Sequence, residues 1–308
     1  MEISRKGTLA LSLDEMKSIQ AYFKSLGRNP TDVEMEVLAQ TWSEHCKHKI
    51  FSAEIDYTTP DGKTEHISNL YKTFIQKSTK EIQKRIPWLV SVFTDNAGVI
   101  RFNDKFDLAY KAETHNSPSA LDPYGGAMTG IVGVNRDPMG TGMGANLLLN
   151  VWGYCLGSPF TDPKDVPEGL LQPRRLRDGV HKGVIDGGNQ SGIPYASGWE
   201  YFDDRYIGKP LVYCGTVGTI PRKIGDRNGW EKEIKPGDLI VMTGGRIGKD
   251  GIHGATFSSE ELHKDSPVRA VQIGDPITQK RMSDFEIEAR DRLLYRFVTD
   301  NGAGGLSS

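Results

Sequence analysis

The sequence predicts an α+β fold in two domains, on three observations. Apolar residues near the N-terminus recur at helical spacing, whereas Phe106 to His115 alternates with the period of two that belongs to a strand. Four prolines crowd Ser158 to Pro173, which reads as a linker, so a first domain is expected to end near residue 160. A chain of 308 residues is long enough for two cores.

Taken in order, Leu13, Met16, Ile19 and Phe23 form the stripe of a helix from about Ser12 to Ser25, which stops near Gly27 and Pro30. Thr31-Asp32-Val33-Glu34 is a capping box. The helix it opens carries Val33, Val37, Leu38 and Trp42 and runs into Ser43-Glu44-His45-Cys46-Lys47-His48-Lys49. Strands are expected at Leu89 to Thr94, Val99 to Phe102 and Phe106 to His115. Asn116-Ser117-Pro118 ends the last of these, Tyr124-Gly125-Gly126 opens a Gly-rich turn, and a helix is expected to begin near Tyr124 and run through Met128, Ile131 and Val132 towards Asn135. A strand over Asn146 to Tyr154, a short helix around Arg174 to Gly183 and a Gly-rich connection from Asp186 to Pro194 come next. Further strands are expected near Leu211 to Ile220 and Asp238 to Thr243. Phe285 to Val298 reads as an amphipathic helix, and Thr299 to Ser308 as a loop cut short before another helix.

With 25% charged and 37% hydrophobic residues the chain belongs to the globular class. A net charge of -2 argues against a general nucleic-acid surface, which needs a basic excess, but leaves room for a local basic pocket. No run approaches transmembrane length and no signal peptide is expected, so no membrane partner is indicated. Cys46, Cys155 and Cys214 are far apart, which suits reduced cytoplasmic thiols better than a clustered metal site.

The chemistry concentrates after Tyr110. If Phe106, Leu108, Tyr110 and Ala112 form one apolar strand face, then Lys111, Glu113 and His115 line the other. An ammonium, a carboxylate and an imidazole in one row offer a phosphate contact, a metal ligand and a proton acceptor. The alternative is an ordinary strand with a solvated polar face. Arg136 can grip a phosphate or carboxylate in two-point fashion, and Asp137 can bind Mg²⁺ together with Glu113, although Arg-Asp is also a common surface ion pair. Asp300, before Asn301-Gly302-Ala303-Gly304-Gly305, is a third candidate carboxylate. His45 and His48, three apart, are expected to share a helix face, for anion contact, proton transfer or, least favoured by the spacing, metal ligation, or as plain surface residues. The loop from Gly244 to Gly254 follows an expected strand, and its amides with Arg246 and Lys249 suit an anion; a surface loop is the alternative. Neither the P-loop pattern nor the dinucleotide-binding glycine pattern is present.

In this order, TWSEHCKHKIF (Thr41 to Phe51), KAETHNSPSALDPYGGAMTGIVGVNRDPMGTG (Lys111 to Gly142), GRIGKDGIHGATFSS (Gly245 to Ser259), VQIGDP (Val271 to Pro276) and TDNGAGGLSS (Thr299 to Ser308) closely resemble the phosphoribosylformylglycinamidine synthase family, within the aminoimidazole-ribonucleotide-synthetase (PurM-like) superfamily. The resemblance implies a helical or linker segment over 1–50 and a PurM-like N-terminal α+β, ATP-binding domain with a half-barrel sheet over 51–160. A partial PurM-like C-terminal α/β/α domain would follow over 161–308. It implies an ATP-dependent ligase of purine biosynthesis that turns formylglycinamide ribonucleotide and ammonia from glutamine into formylglycinamidine ribonucleotide, ADP and phosphate. By motif, His45 matches the active-site histidine and His115 the proton acceptor. Lys111 and His48 match ATP contacts, and Glu113, Asp137 and Asp300 match magnesium ligands. Thr114, His115, Asn116, Ser117, Arg136 and Gln272 match substrate-binding positions. The implied cofactors are Mg²⁺ and the substrate ATP. The implied partners are a glutaminase subunit, a small accessory subunit, and a second PurM-like repeat or a homodimer partner to face the half-barrel sheet.

Some positions depart from the family pattern. His48 stands where many short-chain members have a tyrosine, Ser117 where histidine is frequent, and Tyr195-Ala196-Ser197 where a threonine-containing version is usual. None of the cysteines lies in a nucleophile elbow, so the ammonia would come from elsewhere. A chain that binds nucleotide or partner without turnover is the second reading, and another ATP-dependent member of the superfamily the third.

Overall fold

A computed structural model describes residues 1–246, 248, 251–258 and 271–302. The described residues fall into two compact units: 1–87, 252–258 and 301–302 in one, 88–246, 248, 251 and 271–300 in the other.

The first unit begins with α1 (Glu2–Lys6), α2 (Leu13–Ser25) and α3 (Asp32–Thr41). Both longer helices start at complete capping boxes, Ser12 with Glu15 and Thr31 with Glu34, which satisfy amides that a helix start leaves orphaned. The buried stripe Ile19, Phe23, Met35 and Ala39 closes over Leu9 and Leu11. The expected single helix through Lys49 is broken. Ser43 caps a new short helix α4 (Glu44–Lys47), and His48 sits in the left-handed region at φ +53° before α5 (Lys49–Ser52). His45 and His48 therefore do not share a helix face. A hairpin of β1 (Ile55–Thr58) and β2 (Thr64–Ile67), a π-helical turn (Tyr71–Gln76) and α6 (Lys77–Gln83) follow.

The second unit is built on a six-stranded sheet in the order β3-β4-β5-β8-β6-β7, with β3 (Leu89–Ser91), β4 (Gly98–Arg101), β5 (Phe106–Thr114), β6 (Asn146–Leu156), β7 (Tyr195–Phe202) and β8 (Leu211–Pro221). Every pair is antiparallel except β6–β7, which α9 (Pro173–Ser191) connects. Residue 160, the expected boundary, lies between β6 and α9, inside this unit. Helices α7 (Asn116–Leu121) and α8 (Pro123–Met139) fill the rest of the β5–β6 connection. A two-stranded pair, β9 (Lys223–Ile224) and β10 (Arg227–Asn228), precedes α10 (Gly254–Phe257), which belongs to the first unit, and α11 (Pro276–Asp291).

Alternation along β5 holds, but its faces are inverted with respect to hydrophobicity. Asp107 and Ala109 are fully buried, and Lys111 and Glu113 continue their side; Phe106 and Tyr110 point to the exposed side. Ladder partners share a face, so Cys214, Thr216 and Ile220 of β8 join the inner set, and Tyr213 and Val217 the outer one. Inside, Ile131 and Val134 of α8 pack with Val180 and Val184 of α9 on Tyr154, Leu156 and Val212.

One further expectation is met and three are corrected. The helix expected to begin near Tyr124 is α8, and Tyr124-Gly125-Gly126 lies in its first turns because Asp122 caps the Gly125 amide and Pro123 presets the first helical residue. Asp186 to Ser191 continues α9, and the helix stops only at left-handed Gly192. Asp238 to Thr243 forms no strand, and Leu239, Ile240 and Val241 are more than three-quarters exposed. The last helix lies earlier than expected, ending at Asp291.

Helices α8 and α9 approach closely enough that a Cβ at Gly183 would lie 2.2 Å from the Tyr124 carbonyl oxygen. Gly183→Ala is expected to cost about 1–3 kcal/mol, the usual range for overpacking, seen as a lower urea midpoint at unchanged slope.

Candidate functional site

The C-terminal half of β5 delivers Lys111 and Glu113 to the inner side of the sheet, and the last turns of α8 deliver Arg136 and Asp137. The chain returns at Asp300 within the same unit. Lys111 Nζ lies 3.1 Å from Glu113 Oε1 and 3.1 Å from Asp137 Oδ2, and donates to the Asn96 carbonyl at 3.0 Å. Arg136 Nε approaches Asp300 Oδ2 at 3.7 Å. Asp137 Oδ2 and Arg136 Nε are both buried outside hydrogen-bonding geometry.

Burial and charge crowding set the protonation of this cluster. Asp137 is pushed up to about 8, first by burial and then by the neighbouring Glu113 and Asp300 carboxylates, which Lys111 only partly offsets. Asp300 is likewise raised by burial, against the pull of Arg136. Burial opposes the Lys111 ammonium, but Glu113 and Asp137 outweigh it and raise its pKa. Among the described residues no three His, Cys, Asp or Glu side chains are gathered closely enough to hold a metal ion. The Lys111 ammonium is the cation on which Glu113 and Asp137 converge. The donors are hard carboxylate oxygens, and the buried Asp137 Oδ2 meets the Lys111 ammonium, so in kind they fit a magnesium ion.

His115 follows β5 directly. Its backbone amide donates to Val212 O at 2.9 Å, and its ring Nδ1 hydrogen-bonds the Gly126 carbonyl. A carbonyl only accepts, so Nδ1 carries the proton of the neutral ring and Nε2 the lone pair. Gly130 makes room for this residue: a Cβ there would lie 3.0 Å from His115 Cβ.

Other expected residues are distributed more widely. Thr114 is exposed, Ser117 is buried, and Asn116 Oδ1 accepts the Val212 amide at 2.8 Å. Gln272 is exposed, and its backbone carbonyl accepts Thr129 Oγ1 at 2.6 Å. His45 and His48 belong to the first unit, where His45 Nδ1 is 3.3 Å from Ser258 Oγ and His48 is exposed. Arg246 is exposed, and Lys249 of the Gly-rich loop lies outside the described residues. Sequence reasoning missed Asn96 and Asp95, whose side chains brace the cluster; Asp-Asn before Ala-Gly reads as an ordinary turn.

Three family profiles match the chain: the formylglycinamide ribonucleotide amidotransferase linker domain over residues 1–49, and the N-terminal and C-terminal domains of AIR synthase related proteins over 94–220 and 235–308. A phosphoribosylformylglycinamidine synthase subunit PurL from Thermoplasma acidophilum is 41% identical over 308 residues, 99% of this chain and 37% of the relative. The structure of T. maritima PurL complexed with FGAR aligns with a TM-score of 0.66 and 30% identity, over 95% of this chain and 40% of that one. The same protein complexed with ATP aligns at 0.60 with 27% identity, over 95% and 38%. The chain thus spans a little over a third of the length of these relatives. No helix among the described residues is long and apolar enough to cross a membrane.

The raised Asp137 carboxyl makes stability pH-dependent. Between the ordinary aspartate pKa near 4 and about 8, the native chain holds a proton that the unfolded chain has released, so stability falls as pH rises across that window. Urea midpoints measured from pH 5 to 8 without divalent cations are expected to decline, and Asp137→Asn to flatten the decline.

Proposed function

We propose that this chain, which belongs to the phosphoribosylformylglycinamidine synthase family, supplies phosphate-handling and proton-handling groups to an ATP-dependent ligase of purine biosynthesis in the cytoplasm. The ligase converts formylglycinamide ribonucleotide and ammonia from glutamine to formylglycinamidine ribonucleotide, ADP and phosphate. The observation that carries this reading is the convergence of Lys111, Glu113, Arg136, Asp137 and Asp300 in one unit that also holds His115.

In the proposed reaction the γ-phosphoryl group passes to the substrate amide oxygen, ammonia adds to the activated carbon, and phosphate leaves. Lys111 contacts ATP, and Glu113, Asp137 and Asp300 would hold magnesium, which when bound would offset phosphate charge. Arg136, with its buried Nε short of a hydrogen-bond partner, takes an anionic group of the substrate, with Thr114, Asn116, Ser117 and Gln272 as further contacts. Nitrogen attack creates a surplus proton, and we assign His115 to accept it. His45 is the second active-site histidine in this reading, and His48 an ATP contact.

The partners follow from what the sheet leaves uncovered. Phe106, Tyr110, Tyr213, Trp199 and Tyr201 of its outer side are 36–49% exposed. We assign this face to a second PurM-like repeat or to a homodimer partner. A glutaminase subunit, with a small accessory subunit, supplies the ammonia.

His115→Ala in the full reading frame is expected to lower ammonia-dependent ADP release about 10²–10⁴-fold while retaining ATP binding. Unchanged turnover would remove the proton-acceptor role. The isolated chain, if its outer face pairs with a second copy, is expected to sediment as a dimer that Tyr110→Lys dissociates. A monomer at every concentration would leave a second repeat as the cover.

A further inference from the structure

We propose that Asn96 is a positioning residue for Asp300: its side-chain amide pins one carboxylate oxygen and so fixes the direction of the other. This rests on the magnesium reading given above. Asn96 Nδ2 lies 2.7 Å from Asp300 Oδ1, closer than its alternative acceptors Gly140 O at 3.2 Å and Thr299 Oγ1 at 3.3 Å. An amide has two protons, and the charged acceptor at the shortest distance secures one of them. Asp300 Oδ2 is then left on the side of Arg136, at 3.7 Å from Nε.

The same residue ties a second member of the cluster, because its backbone carbonyl accepts Lys111 Nζ at 3.0 Å. Its own position is fixed from behind. Asp95 Oδ2 accepts the Gly142 amide at 2.9 Å, Asp95 Oδ1 pairs with Lys232 at 2.6 Å, and Lys232 also donates to Gly140 O at 2.7 Å. Gly140 leaves the space that the contact needs. A Cβ there would lie 2.7 Å from Asn96 Nδ2 and 2.6 Å from the Asp300 amide nitrogen. Residues that orient a metal-binding carboxylate commonly change metal affinity 10–100-fold when removed.

The test is Mn²⁺ binding to the 308-residue chain, followed by electron paramagnetic resonance of the free ion, with Mn²⁺ standing in for another hard, oxygen-seeking cation. Asn96→Ala keeps the backbone carbonyl and removes the amide, and is expected to weaken binding about tenfold or more. Coupling separates positioning from general damage. Adding Asn96→Ala to Asp300→Ala is expected to cost nothing further, whereas adding it to Glu113→Ala costs its full effect. Unchanged affinity in Asn96→Ala, or a full additional loss on top of Asp300→Ala, overturns the proposal. Should Asn96→Ala fail to fold, Gly140→Ala probes the same contact, and unchanged Mn²⁺ affinity there overturns it equally. If the native chain binds no Mn²⁺, the magnesium reading is what fails. The crystal structure of Asn96→Ala then decides: an Asp300 carboxylate turned from its native orientation supports the role, and an unmoved one overturns it.

Discussion

The second unit depends on how closely α8 can approach its surroundings. A Cβ at Gly126 would lie 2.5 Å from the Pro118 carbonyl group, and one at Gly130 would lie 2.9 Å from Cys214 Sγ. No side chain fits at either point, so hydrogen is required where the helix meets α7 and the β5–β8 ladder. Glycine in a helix interior costs roughly 0.5–1 kcal/mol relative to alanine, a cost that close packing on α9 and the sheet offsets. What the approach achieves is geometric. It brings the Gly126 carbonyl against the His115 ring and carries Arg136 and Asp137 to Lys111.

Once those groups meet, charge dictates the rest. Three carboxylates, Glu113, Asp137 and Asp300, face two cationic side chains, Lys111 and Arg136, in surroundings mostly withdrawn from water. The set is one positive charge short. Holding a proton on Asp137 up to about pH 8 is how the apo cluster makes good the deficit. A cation drawn in beside these carboxylates would offset the same crowding without a proton, which is the physical ground of the magnesium proposal. It also explains why one amide contact to Asp300 matters: the direction of its second oxygen decides where the negative charge is presented.

The sequence was most legible where a local rule settles the structure. The Thr31–Glu34 capping box, the β5 alternation and the strand over Asn146 to Tyr154 depend on short-range chemistry, and each is found in place. The shared side of Lys111 and Glu113 was legible for the same reason, but not that this side is the buried one. What failed were features decided by distant partners. Glycines at 187 and 188 signalled a connection because propensity counts against them, yet tertiary contact makes them helical. The Asp238 to Thr243 run has strand composition, but a strand exists only when another is hydrogen-bonded to it. Asn96 was invisible because its partners Lys111 and Asp300 are remote in sequence.

The inverted faces of β5 carry the most consequence. Hydrophobicity alone would place Phe106, Leu108 and Tyr110 inward, yet Asp107 and Ala109 are the fully buried residues and Lys111 continues their side. A sheet with charged residues under its helices and aromatic residues toward water leaves on its outer side the surface that burial would stabilise most. Because strand side chains alternate, Tyr110, Ala112 and Thr114 are interleaved with Lys111, Glu113 and His115 on one backbone. Whatever covers the first set fixes the strand from which the second set projects. Covering the sheet and aligning the cluster are therefore two consequences of holding the same nine-residue strand.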